Sequence, residues 1–130
     1  MIEIEFRGRS THNGEWHYGW LTYSKFHNAY EITDGNGVYN FVDPKTVGPY
    51  TGKKDKFGKK IFGGDIVLIE NKYVRYIVYS GVRNAFITMM FIDELESAEM
   101  VRLGEYEEYD IEVIGNIHDN PELLNKILKD

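Results

Sequence analysis

Residues 6–23, FRGRSTHNGEWHYGWLTY, contain two runs of strand-forming residues on either side of a turn signal. Asn13 followed by Gly14 is a strong signal for a hairpin turn because both residues tolerate a positive φ. The flanking residues favour extended backbone. The sequence therefore predicts an antiparallel hairpin with strands over residues 1–12 and 15–23.

Alternation along this hairpin separates two faces, because successive side chains of a strand point to opposite sides. A two-residue turn pairs Arg9 with Tyr18 and Arg7 with Trp20. Aromatic rings edged by guanidinium groups are typical of single-strand binders and of protein interfaces, and the same face could equally pack against the rest of the chain. These interpretations stay open at this point. The predicted core side carries Ile2, Ile4, Phe6, Leu21 and Tyr23, and the opposite face carries Arg7, Arg9, Trp16, Tyr18 and Trp20.

Two further signals divide the next segment. The run DGNG at residues 34–37 predicts the turn of a second hairpin over residues 29–42. Asp43 followed by Pro44 predicts a cap and a single helical turn, since proline needs no donor at the first helical position. We therefore predict an N-terminal β-hairpin segment over residues 1–46.

Short strands separated by glycine-bearing turns recur after residue 46, which favours a small antiparallel barrel. Asn120 and Pro121 indicate the start of a C-terminal helix. Residues 93–103 fit either a short helix or an ordered loop. The prediction is a mainly β, α+β fold in which residues 47–130 form a barrel closed by that helix. The predicted strands cover residues 48–51, 61–69, 72–79, 85–92 and 109–117, and the apolar stripe of the helix is Leu123, Leu124, Ile127 and Leu128.

Charge and composition narrow the function. The net charge is −6, and it is uneven: residues 1–65 carry 9 basic and 8 acidic groups, whereas residues 66–130 carry 6 and 13. Proteins that bind duplex DNA usually have more basic than acidic residues, and this chain has fewer. The chain has no cysteine, no secretory leader pattern and no long apolar run, so we expect a cytoplasmic protein without a membrane segment.

Five lysines form the densest basic feature of the sequence. They surround a turn near Phe57 and Gly58 and are interrupted by Asp55. Lysines at a hairpin tip can bind phosphates as point charges, although such charge runs are more often solvated turns. This feature makes nucleic acid the alternative partner. The five residues are Lys53, Lys54, Lys56, Lys59 and Lys60.

An acidic stretch follows in the second half, with Arg102 as its single basic residue. It is either a solubilising surface or, by its charge, a mimic of nucleic acid. Its members are Asp93, Glu94, Glu96, Glu99, Glu105, Glu107, Glu108, Asp110 and Glu112.

Evidence for catalysis is thin. Asp55 with Glu70 and Lys72 has the residue types of a metal-dependent nuclease, but such a set is common by chance, and Glu70 and Lys72 flank a predicted turn. Nucleophile elbows, phosphate-binding loops and paired zinc histidines do not occur in the sequence. We predict no catalytic residues, no metal and no cofactor.

Two long segments have a recognisable pattern: VDPKTVGPYTGKKDKFGKKIFGGDIV at residues 42–67 and DIEVIGNIHDNPELL at residues 110–124. They resemble the two signatures of the YopX family of phage and prophage proteins, and the opening around residues 6–19 resembles the start of that family too. The resemblance implies an N-terminal β segment, an SH3-type barrel, and a gene carried by a phage or prophage of a bacterial host. It implies no established activity and no assigned site residues.

The combined prediction is a non-enzymatic interaction module that binds a host or phage protein in the cytoplasm of the bacterial host. The alternative is a nucleic-acid-binding accessory protein that uses the lysines between Lys53 and Lys60. Self-association is compatible with either interpretation.

Overall fold

Strands account for most of the described chain. A computed structural model describes residues 3–81, 85–89 and 100–123. Within these ranges the chain forms ten strands in two antiparallel sheets, which confirms the prediction of a mainly β protein. The strands are β1 Phe6–Ser10, β2 Trp16–Ser24, β3 Ala29–Thr33, β4 Tyr39–Lys54, β5 Lys60–Phe62, β6 Asp65–Ile69, β7 Tyr73–Ser80, β8 Ala85–Met89, β9 Met100–Arg102 and β10 Ile111–Asn116. Short 3-10 helices cover Leu103–Glu105, Glu108–Asp110 and Pro121–Leu123.

The chain divides into two compact units, Met1–Gly52 and Lys53–Asp130. The sequence predicted a boundary after residue 46, whereas the division falls after Gly52. No helix among the described residues is long and apolar enough to cross a membrane.

The helical turn predicted at Asp43 is wrong, because these residues belong to the sixteen-residue strand β4. The Asp43 side chain does act as a local cap, since its Oδ1 accepts the Lys45 N–H at 3.0 Å. The Thr46 hydroxyl donates to the Asp43 carbonyl at 2.6 Å and accepts the Arg9 N–H at 2.9 Å. These bonds bend β4 locally, and the β1–β4 register shifts at this point.

The first sheet has the strand order β1-β2-β3-β4-β5, with an additional pairing between β1 and β4. Strands β1 to β4 therefore pair in a closed circuit. Ile32 and Val42 are buried on one face of this circuit, which we call the inner face. A Cβ atom on Gly8 of β1 would lie 3.0 Å from Val42 Cβ and 3.1 Å from Ile32 Cδ1, so a glycine makes room for both side chains.

The first hairpin has a different register from the predicted one. Arg7 pairs with Tyr18 and Arg9 with Trp16, two residues away from the predicted partners. The cause is a longer loop, in which the Ser10 hydroxyl accepts the N–H groups of residues 12 and 13, and the Ser10 N–H donates to the carbonyl of residue 15. Because the shift is an even number of residues, every side chain stays on its predicted face.

Part of the predicted core face of this hairpin is exposed. Phe6 and Leu21 are half-buried, but Ile4 and Tyr23 are exposed, because they lie near the ends of the sheet rather than at its centre. The predicted core residue Ile2 lies outside the described residues. The second predicted hairpin is confirmed, with β3 and β4 joined through residues 34–38.

The second sheet has the strand order β10-β6-β7-β8-β9. The predicted strand over residues 61–69 is two strands, β5 and β6, because a turn at Gly63 and Gly64 interrupts it. The buried Asp65 side chain fixes that turn by accepting the Phe62 N–H at 2.7 Å.

Apolar side chains pack on both faces of β6. One cluster holds Ile61, Val67, Ile69, Ile77, Leu103 and Ile111. The other holds Ile66 and Val74, with the partly buried Leu68, Tyr76, Ile114, Ile117 and Leu123 around them. Burial on both sides explains the continuous apolar run of β6, because a strand that faces solvent on one side would alternate.

Two predictions near the C-terminus are only partly covered by the structure. Where the C-terminal helix was predicted to start, the described chain forms only the 3-10 turn Pro121–Leu123, and residues 124–130 lie outside the described residues. Of the segment 93–103, the structure describes strand β9 and the start of the following 3-10 helix, whereas residues 93–99 lie outside.

Replacing Gly19 with alanine should destabilise the protein strongly. Gly19 has φ 152°, and an added Cβ would lie 2.1 Å from the Thr33 carbonyl oxygen, a backbone atom that cannot rotate away. We expect Gly19→Ala to lower the free energy of unfolding in urea by about 3 kcal/mol. Gly104→Ala is the control, since nothing lies within 4 Å of a Cβ there. Equal stabilities of the two variants would contradict this assignment.

Tyr76 makes the free energy of unfolding depend on pH in the alkaline range. Burial raises the pKa of the Tyr76 hydroxyl above its usual value of 10.0, because the charged phenolate loses solvation. The unfolded chain therefore loses this proton at lower pH than the folded chain, and stability falls as pH rises from about 10 upward. Tyr76→Phe should reduce that fall in urea denaturation at alkaline pH. Tyr109→Phe, at an exposed position, should leave it unchanged.

Candidate functional site

The first sheet presents an aromatic surface on the side opposite its inner face. Trp16, Tyr18 and Trp20 alternate along β2, so their side chains share this side at a spacing of about 7 Å. We call this side the outer face. Tyr18 is 48% exposed and Trp20 is 56% exposed, whereas Trp16 is half-buried. The structure therefore keeps together the three aromatic residues that the sequence predicted as one surface.

The two predicted arginines have different surroundings. Arg7 is only 5% exposed, and its guanidinium carbon lies 4.8 Å from the centre of the Trp16 ring. This buried cation–π contact holds the indole in place. Arg9 is half-buried on the same strand, opposite Trp16. Of the two guanidinium groups, that of Arg9 is the more accessible to a partner.

Two further aromatic residues lie on the outer face. Thr33 pairs with both Trp20 and Tyr39, so these three residues form one row across β2, β3 and β4. Phe41 follows two residues after Tyr39 on the same side. Both rings are exposed. The sequence predicts only that both residues lie in the second hairpin, over residues 29–42, because their alignment with Trp20 depends on a register between hairpins.

The turn between β4 and β5, residues 53–60, carries the five lysines, and we call it the lysine hairpin. A buried carboxylate fixes its conformation. Asp55 is 3% exposed. Its Oδ1 accepts the N–H groups of Phe57 and Lys59, each at 2.9 Å, and its Oδ2 accepts the Val113 N–H at 2.9 Å. Two of these bonds shape the turn and the third ties it to β10. The acidic interruption of the lysine cluster is therefore structural.

Lys53 and Lys56 both contact the chain itself. The Lys53 ammonium donates to the Tyr106 carbonyl, and the Lys56 ammonium lies 3.5 Å from a carboxylate oxygen of Glu112. The Lys56 N–H also donates to the Ile111 carbonyl at 2.9 Å, so the hairpin covers part of the β10 edge. Lys54 and Lys59 are exposed and Lys60 is half-buried.

The three residues considered for metal-dependent catalysis, Asp55, Glu70 and Lys72, lie in turns or contact neighbouring groups of the chain. Both oxygens of Asp55 accept backbone donors, as described above. Glu70 lies in the β6–β7 turn with φ 54°, and the Lys72 ammonium lies 5.0 Å from the Tyr73 ring centre. Across residues 3–81, 85–89 and 100–123, no group of three or more acidic or histidine side chains is arranged to hold a metal ion.

The acidic stretch is described only in its second part. Glu105, Glu107 and Glu108 are exposed in and beside the short 3-10 helices. Glu112 faces Lys56 instead of lying in open solvent. Asp93, Glu94, Glu96 and Glu99 lie outside the described residues.

Together these features define an antiparallel β protein with the aromatic outer face on the first unit and the lysine hairpin, held by Asp55, on the second. The family model described as YopX protein matches residues 5–125, and the chain therefore belongs to the YopX family. This confirms the resemblance found in the sequence. No curated protein shows significant similarity to the chain.

A solved structure supports the same fold. The crystal structure of protein EF1440 from Enterococcus faecalis matches 95% of this chain and 99% of its own chain, with 24% identity and a TM-score of 0.56. At this level of identity the similarity concerns the fold alone.

The Asp55 carboxylate should contribute strongly to stability. Asp55→Ala leaves three backbone N–H groups without their acceptor, so we expect a loss of about 3 kcal/mol in the free energy of unfolding. Asp55→Asn keeps one acceptor oxygen and should lose less. Asp34→Ala is the control, because that exposed carboxylate accepts two local turn bonds, from the backbone N–H and the side-chain amide of Asn36. If Asp55→Ala unfolds at the same urea concentration as Asp34→Ala, the structural role is wrong.

Proposed function

We propose that this YopX family protein is a non-enzymatic interaction module that binds a host or phage protein through the outer face. The observation that carries this proposal is the exposure of Tyr18 and Trp20 side by side on one strand. Large aromatic side chains rarely stay exposed as a group on a monomer without a partner. The proposal includes a phage or prophage gene and a location in the cytoplasm of the bacterial host.

The rigidity of the outer face favours binding. Tyrosine and tryptophan supply large contact areas with few rotatable bonds, so little conformational entropy is lost when they are buried. Arg7 holds Trp16, and β2 is paired on both edges. A partner would therefore meet a preformed surface, with Arg9 at its side for a polar or acidic contact.

The size of the aromatic surface is adequate for a specific contact. An aromatic side chain offers 150–250 Å², so the exposed fractions of Tyr18, Trp20, Tyr39 and Phe41 amount to roughly 400 Å². A standard interface buries about 800 Å² on each partner. The outer face can supply the apolar centre of such an interface. A second copy of the chain would meet the same requirement, so self-association is included in the proposal.

For the second unit we propose the SH3-type barrel that the family resemblance implies. Three observations support this proposal: the antiparallel strand order, the apolar clusters, and the covering of the β10 edge by the lysine hairpin. The barrel would serve as a scaffold for the hairpin loops.

Binding to nucleic acid through the lysine hairpin is the alternative function. Lys54 and Lys59 are exposed and would be the first contacts to phosphate. The engagement of Lys53 and Lys56 with the chain leaves a smaller basic surface than the sequence suggested.

The outer face is tested by capturing partners from a lysate of the bacterial host with tagged protein, before and after nuclease treatment, and then measuring affinity for the purified partner. Trp20→Ala should lower the affinity for a protein partner by about tenfold or more. Tyr109→Ala is the matched control, because Tyr109 is an exposed aromatic residue of the second unit. It should bind as the unchanged protein does.

Two results would contradict the proposal. Equal effects of Trp20→Ala and Tyr109→Ala would exclude the outer face. The alternative would be established if the tagged protein retained nucleic acid alone. Its affinity for nucleic acid should then fall steeply between about 50 and 200 mM salt and be lost in Lys54→Ala/Lys59→Ala.

A further inference from the structure

The first unit contains a groove at one end of its inner face. Tyr23, Tyr30 and Val42 pair in one row across β2, β3 and β4, and they line this groove together with Pro44. Its volume is about 570 Å³. Clefts that bind small ligands usually have 300–1,000 Å³ and mostly apolar walls. The groove has the size and the lining of such a site.

The two tyrosines of the groove hold each other in place without filling it. Their ring centres are 5.1 Å apart and their planes are inclined at 65°, an edge-to-face pair. The Tyr23 hydroxyl donates to Oδ1 of Asn28. Both rings are 40% exposed or more. A ligand in the groove would therefore meet two fixed aromatic surfaces.

The polar groups of the groove are neutral. Asn28, Thr11 and the tyrosine hydroxyls are its polar lining, and none of the lining residues carries a charge. A phosphate or carboxylate would lose its hydration there without gaining a counter-charge. Because Oδ1 of Asn28 accepts the Tyr23 hydroxyl, the amide nitrogen of Asn28 can donate to a ligand carbonyl, as can the hydroxyls of Thr11 and Tyr30.

We infer that the groove binds an uncharged, proline-rich peptide segment in the polyproline II conformation. Such a segment has apolar rings that pack on aromatic side chains, and its carbonyls have no internal hydrogen bonds and accept donors from a protein. The exposed Pro44, beside the buried Val42, forms the aliphatic wall. Tyr23 and Tyr30 form the aromatic wall, and Asn28 supplies a donor. This site lies on the inner face and is separate from the site of the proposed function.

The probe for this inference is hexaproline with acetyl and amide ends, titrated into the ¹⁵N-labelled full chain and followed by NMR. We expect shift changes at Tyr23, Asn28, Tyr30 and Val42. Tyr30→Ala should weaken binding by about tenfold through loss of the ring. Asn28→Gly should weaken it by about fivefold through loss of the amide. Glycine tolerates the positive φ of 51° at this position, so this variant keeps the backbone.

The control variant is Trp20→Ala, which should bind hexaproline unchanged. A Gly-Ser peptide of equal length should produce no shifts in the groove. The inference is overturned if hexaproline causes no shifts at about 10 mM, a concentration at which even weak millimolar binding is visible. It is also overturned if the shifts fall on the outer face, or if the Gly-Ser peptide or free indole binds equally well. Loss of partner binding in Trp20→Ala with intact hexaproline binding separates this site from the outer face.

Discussion

Strand β1 hydrogen-bonds along both edges, to β2 and to β4, and the first unit depends on this double pairing. It joins the two hairpins into a closed circuit of four strands, so that one face becomes interior and the other points outward. Gly8 permits the closure because its missing side chain leaves room for Ile32 and Val42. The outer face and the inner groove are both consequences of this arrangement.

In the second unit, Asp55 connects segments that are far apart in sequence. Its carboxylate joins the turn of the lysine hairpin to Val113 of β10 through backbone hydrogen bonds. A buried carboxylate is costly unless its oxygens are satisfied, and three N–H donors satisfy this one. Asp55, whose residue type only resembles part of a metal-dependent nuclease set, is thus explained by its role in shaping the chain.

The two surfaces of the first unit differ in chemistry. The outer face offers wide aromatic rings with Arg9 beside them, which suits a broad protein interface. The groove is narrower, neutral and bounded by Tyr23 and Tyr30, which suits an extended apolar segment. Under the two proposals made above, the first unit would hold two partners or two segments of one partner.

The sequence by itself determined the strand-rich character, the second hairpin turn and the face on which each aromatic residue of β2 lies, because alternation and turn chemistry act over a few neighbouring residues. The register of the first hairpin differs from the prediction for a local reason, because the hydrogen bonds of the Ser10 hydroxyl to residues 12 and 13 lengthen the loop. Only the tertiary structure decided the burial of Arg7, the alignment of Tyr39 with Trp20 and the groove, because these depend on pairing between different hairpins and strands.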